Sequence, residues 1–121
     1  MKYEKLYHDF IELFPDDKDY FEKIRLENDV EENEGMHIMF GFVVLPFIKK
    51  IVRESEEKSK TAFDFFEKME KSGDSKIAEV VEFTILEDLI SNERESFELY
   101  SVYFGDETKL AVQAIAKWYR Q

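Results

Sequence analysis

An all-α fold is predicted for this chain by three observations. Apolar residues recur at intervals of three and four along nearly its whole length, the spacing that gathers them on one face of a helix. Only two prolines and four glycines interrupt the 121 residues, so few positions break a helical run. The period-two alternation of a half-buried strand is weak throughout. With 44% hydrophobic residues and 12 Phe, the composition is that of a packed globule rather than an acidic disordered tail. The length suits a single domain over residues 1–121, able to bury about 65% of its unfolded surface.

Helix one should run over residues 2–14, with Leu6, Phe10 and Leu13 inward, until Pro15 and two aspartates stop it. Helix two follows over 17–28, with Tyr20, Phe21 and Ile24 inward. The next stretch, "ENDVEENEG" at 27–35, has five acids, one apolar residue and a closing glycine, which reads as a loop. Helix three spans 36–54 and contains Pro46, whose missing N–H and bulky ring should kink or split it. A strand over 38–45 is the alternative, because short apolar runs are ambiguous by periodicity. Helix four turns Ala62, Phe63, Phe66 and Met69 inward, leaves Phe65 off that face, and ends in "KSGD", where Gly73 suits a left-handed cap.

Asp74 or Ser75 can cap helix five, which runs to about residue 90. At about 100° per residue, Ile77, Val80, Val81, Thr84 and Ile85 form one face and Phe83, Leu86 and Ile90 a second, so this helix should be central. Helix six covers 93–104 and leads to Gly105; Asp106 or Thr108 then starts a last helix with Leu110, Ala114, Ile115 and Trp118 inward. The result is six or seven short helices in antiparallel hairpins, packed as a bundle or α-solenoid-like array without an internal sequence repeat.

Cysteine is absent, which removes disulfides, thiolate metal sites and a cysteine nucleophile. The amino-terminal stretch lacks the continuous apolar segment of a secretory signal. The apolar run at 38–48 is about half the ~20 residues of a membrane-spanning helix and is closed by Lys49 and Lys50. A cytoplasmic chain without membrane contact is expected. The net charge of -11 opposes direct nucleic-acid binding, which relies on Lys and Arg to neutralise phosphates, and favours a basic protein partner. That charge is concentrated, with nine acids against three bases from Asp16 to Glu34.

Reactive chemistry has few candidates. Glu34 and His37 have the Glu-x-x-His spacing of di-iron bundles, but the motif occurs once and Gly35 stands where the helix should start. Glu4, His8 and Glu12 share a helix face as an exposed ladder. Neither histidine has an evident serine partner, and no glycine-rich loop can cradle a phosphate. No metal, cofactor or enzymatic activity is therefore expected. On helix five, Glu79 and Glu82 should be solvated, whereas Glu87 and Asp88 should be partly buried, hydrogen-bonded for structural reasons or, as the alternative, holding a catalytic acid of raised pKa. The candidate partner-binding residues are the acids Asp16, Asp17, Asp29, Glu31, Glu32 and Glu34, joined by Tyr100 and Tyr103 of "ELYSVYF", since tyrosine rimmed by acids is a frequent hot-spot composition.

Four segments carry a resemblance over nearly the whole chain: Phe14 with Pro15, "FGFVVLPFI" with Gly41 and Pro46, "SGDSKIAEVVEFTILEDL" with Asp74 and Glu87, and "YFGDET". In these the chain resembles an uncharacterised bacterial family of small, acidic, all-helical proteins associated with immunity proteins of polymorphic-toxin loci. The resemblance implies an all-helical fold and an immunity protein that neutralises a toxin by stoichiometric binding, and it points to no site residue. A helical adaptor for another cellular protein is the alternative, followed by a carboxylate-dependent hydrolase or metal enzyme.

Overall fold

The computed structural model describes residues 1–31 and 34–119, among which seven helices and no strand form a single domain. A 3₁₀ turn at Tyr3–Lys5 leads into α1, Leu6–Glu12, and a second at Pro15–Asp17 leads into α2, Lys18–Glu27. Helix α3 covers residues 36–51 and α4 is Glu56–Glu70. Helix α5 covers residues 75–92, α6 is Phe97–Ser101, shorter than the sequence suggests, and α7 is Asp106–Tyr119.

Both long helices change pitch midway. In α3 a π turn at Phe40–Val44 joins Met36–Met39 to Leu45–Ile51, and in α5 a π turn at Glu82–Leu86 joins Ser75–Val81 to Glu87–Asn92. The Leu45 N–H donates to the Phe40 carbonyl and the Glu87 N–H to the Glu82 carbonyl, one residue farther back than in an α-helix. The α3 turn stands immediately before Pro46. An α-helix would pair the Phe42 carbonyl with the N–H of residue 46; proline has none, and the Asn28 side-chain amide donates to that oxygen instead, at 3.4 Å. Pro46 thus leaves the helix unbroken. In α5, the Thr84 hydroxyl donates to the Val80 carbonyl, a side-chain bond that competes with the backbone ladder. The two π turns pack together, with Gly41 against Thr84.

Termini are capped by local chemistry. Ser55 accepts the Lys58 N–H at 3.1 Å and Asp74 accepts the Lys76 N–H at 2.9 Å, while Gly73 takes φ +76°. Helix α2 ends in a Schellman motif: the Val30 N–H reaches the Arg25 carbonyl at 3.0 Å, the Asp29 N–H reaches Leu26 at 3.2 Å, and Asp29 occupies the left-handed position at φ 54°. The cap of α7 comes from another helix. Glu67 of α4 accepts the backbone N–H groups of Glu107 and Thr108 and the Thr108 hydroxyl, at 2.8–3.0 Å.

Phe10 lies at the centre of the core, its ring against Phe14, Phe21, Phe40, Phe47, Phe65 and Phe66. Phe65 is therefore buried, contrary to the wheel argument, because α4 packs on α3, α5 and α7 and buries a face wide enough to take adjacent phenylalanines. Leu13 is exposed, since α1 ends at Glu12 and the following turn carries its side chain outward. Phe83 is also exposed, because the extra residue of the π turn shifts the helical phase. In α7 the buried face is Thr108, Ala111, Val112 and Ile115, whereas Leu110, Ala114 and Trp118 point outward. That helix is apolar on most sides, and docking of Thr108 onto Glu67 sets its rotation.

Candidate functional site

The acidic edge predicted between residues 16 and 34 survives folding only in part. Asp16, Asp29 and Glu31 are exposed and Glu34 is half-buried; Glu32 lies outside the described residues. Asp17 is buried and its Oδ2 stands 2.8 Å from Lys58 Nζ, so it fastens the turn before α2 to α4 and offers little to a partner. Asp29 cannot adjust freely, because the Schellman motif fixes its backbone.

The tyrosines are not a surface pair. Tyr100 is fully buried, and its hydroxyl donates to Glu93 at 3.2 Å. Burial, reinforced by the Glu93 carboxylate, pushes that hydroxyl up to about 12. Tyr103 is half-buried with its ring stacked on Phe63, 6.0 Å between centroids. What stands exposed nearby is Leu99 and Val102, in a shallow groove also lined by Val52 and Glu95.

Three of the four carboxylates of α5 have assigned partners. Asp88 lies 2.9 Å from Lys49 Nζ and accepts the Asn92 side-chain amide at 2.8 Å. Glu87 accepts the Tyr119 hydroxyl at 2.9 Å, and Glu79 remains exposed. Glu82 is half-buried rather than solvated, because it faces Glu70 of α4. Glu70 Oε2 is shielded from water and receives no hydrogen bond. A carboxylate neighbour can only accept, so the pair is satisfied when Glu70 keeps its proton and donates it to Glu82. Burial, followed by the hydrogen bond and charge of Glu82 and the charges of Glu67 and Glu107, pushes the Glu70 carboxyl up to about 9.

A cleft of about 410 Å³ opens between α1 and α2, lined by Tyr7, His8, Ile11, Phe21, Arg25 and Met39. The Arg25 guanidinium is held by Glu22 and donates to the Val30 carbonyl at 2.8 Å, and burial pushes the Tyr7 hydroxyl up to about 12. Arg25 pairs with Glu22, and His8 stands 3.6 Å from Glu12. Among the described residues no cluster of three histidines or carboxylates is arranged to hold a metal, and no helix is long and apolar enough to cross a membrane.

The surface that sequence reasoning missed lies over the paired π turns. Phe42 and Phe83 are 50% and 53% exposed although Phe40, Val43 and Val44 in the one turn and Ile85 and Leu86 in the other are fully buried. His37 stacks near Phe83, with 6.2 Å between centroids, and the exposed Ile38 lies one turn before Phe42 on α3. The Asn28 bond to the Phe42 carbonyl connects this face to the start of the acidic loop. One signal was available: residues 38–48 are apolar almost throughout, and a helix in contact on one side cannot bury all of them.

A family described as a domain of unknown function, DUF7674, matches residues 7–120. The chain belongs to this family. No curated protein and no solved structure matches it. In this DUF7674 chain, then, the acidic edge and the adjoining aromatic face form the candidate site.

Proposed function

We propose that this DUF7674 chain is a protein-binding module, acting in the cytoplasm as an immunity protein that neutralises a cognate bacterial toxin by stoichiometric capture. The observation that carries this reading is the acidic edge, with Asp29 and Glu31 exposed and Glu34 half-buried, beside a face with half-exposed phenylalanines. Exposed carboxylates steer a basic partner and set the encounter rate, while desolvated aromatic side chains supply most of the binding energy. Exposed ion pairs contribute only ~0–1 kcal/mol each and are screened by salt.

The test is a combined variant, Asp29→Asn, Glu31→Gln, Glu32→Gln and Glu34→Gln. Asparagine at 29 retains tolerance of the left-handed backbone, so the fold should keep its stability. Stopped-flow association with the product of a neighbouring toxin gene should slow several-fold at low ionic strength. An unchanged rate would make the acidic loop a solubilising edge. A helical adaptor is the second reading; the separate exposed apolar groups at Leu99 with Val102 and at Leu110 with Trp118 favour it, because an adaptor needs more than one contact surface.

A further inference from the structure

We infer that the two π turns form the anchoring platform of the binding surface, and that its occupant is a basic protein segment bringing an apolar side chain between lysines or arginines, to be seated over Phe42 and Phe83. This deepens the protein-binding reading and rests on it. Both turns are rigid, since Phe40, Val43 and Val44 under one and Ile85 and Leu86 under the other are fully buried. A ring held half-exposed on such a base loses little conformational freedom on binding. π turns inside α-helices recur at functional positions, and here two of them pack together and each turns one phenylalanine outward.

Charge selects the occupant. Asn28, whose amide reaches the Phe42 carbonyl, begins the acidic stretch that holds the exposed Asp29 and Glu31, and Glu79, exposed and one turn before Phe83 on α5, adds charge on the other side. The groove at Leu99 and Val102 also has acids, Glu95 and Glu98, but Arg53 approaches it and donates to Ser96 at 3.4 Å. The outward stripe of α7 has Lys109 and Lys117 as immediate neighbours of Leu110 and Trp118. The π-turn face is joined to the concentrated acidity by the Asn28 bond to the Phe42 carbonyl, and the exposed Leu26 stands within that acidic segment.

A lysine–leucine amphipathic helical peptide serves as the probe, beside a lysine–serine peptide of equal charge and a glutamate–leucine peptide. Nuclear magnetic resonance should show the lysine–leucine peptide shifting amides of residues 36–44 and 79–86. The paired substitution Phe42→Ser and Phe83→Ser should weaken its binding at least tenfold while the cooperative fold is retained, since both rings are half-exposed. The other two peptides should leave the Phe83 environment unperturbed. Equal binding by the double variant, or shifts confined to the Leu99 groove or to α7, would overturn the inference. If the cognate toxin binds the double variant with wild-type affinity, the platform is wrong while the immunity reading stands; if the peptide seats as expected but the neighbouring toxin does not bind the wild type, the surface stands and the immunity reading falls.

Discussion

Replacing Glu70 with glutamine should stabilise the fold at alkaline pH and flatten its response to pH. The Glu70 carboxyl titrates near 9 in the folded protein against an ordinary value of 4.5, so the folded state binds the extra proton between those values. The contribution is fully present below about 4.5 and is lost as pH rises towards about 9. Each pH unit in that window removes at most ~1.4 kcal/mol, or ~4 kcal/mol from about pH 5 to about pH 8. Because Glu70 is only partly enclosed, screening reduces the expected loss to about 1–3 kcal/mol. Glutamine is neutral at every pH and can donate its amide to Glu82, so Glu70→Gln should match the wild type near pH 5 and exceed it by that amount near pH 8. Glu82→Gln should relieve the same conflict, and the double variant should gain little more. Urea denaturation at both pH values measures this through the midpoint, provided the slope is constant. Glu67, whose carboxyl is raised by burial but brought below the ordinary range by its N–H, hydroxyl and Lys71 partners, contributes stability that is lost only as pH falls below that range. Parallel pH profiles for wild type and Glu70→Gln would refute the shared proton.

Two further substitutions test the packing. A Cβ on Gly105 would stand 2.5 Å from Glu67 Oε1, so Gly105→Ala should displace the carboxylate and cost about 1–2 kcal/mol, the loss of a helix cap, measured by thermal unfolding. Gly41→Ala should be neutral or stabilising by up to ~1 kcal/mol, because its Cβ would meet Thr84 Cγ2 at an ordinary 4.0 Å and alanine favours the helix; a marked drop in midpoint would mean the π turns pack more closely than described.

Helix order and several helix ends were legible because they depend on local chemistry: Pro15 closing α1, Asp74 as a cap, Gly73 at positive φ. Rotation about the helix axis was less so. A wheel advanced by a fixed angle has no term for the added residue in a π turn, and it therefore turned Phe83 inward. The α7 face depended on a bond from Glu67, some forty residues earlier, that no local pattern announces. The candidate site followed the same division. Its acids were visible as composition, but the burial of Asp17 and Tyr100 and the exposure of Phe42 depend on which helices lie alongside.

The cap that α4 lends to α7 also bears on whether the chain can be divided. Glu67 is 12% exposed at its side chain and owes its acceptors' satisfaction to Glu107 and Thr108. A fragment ending at Phe104 would leave that carboxylate with Lys71 as its remaining partner, 3.6 Å away, and would uncover the side of α4 on which α7 packs. An isolated α7, in turn, would begin with unpaired N–H groups and too few residues to hold a helix in water. Shortening this domain from its carboxyl end should therefore abolish cooperative unfolding rather than lower its midpoint.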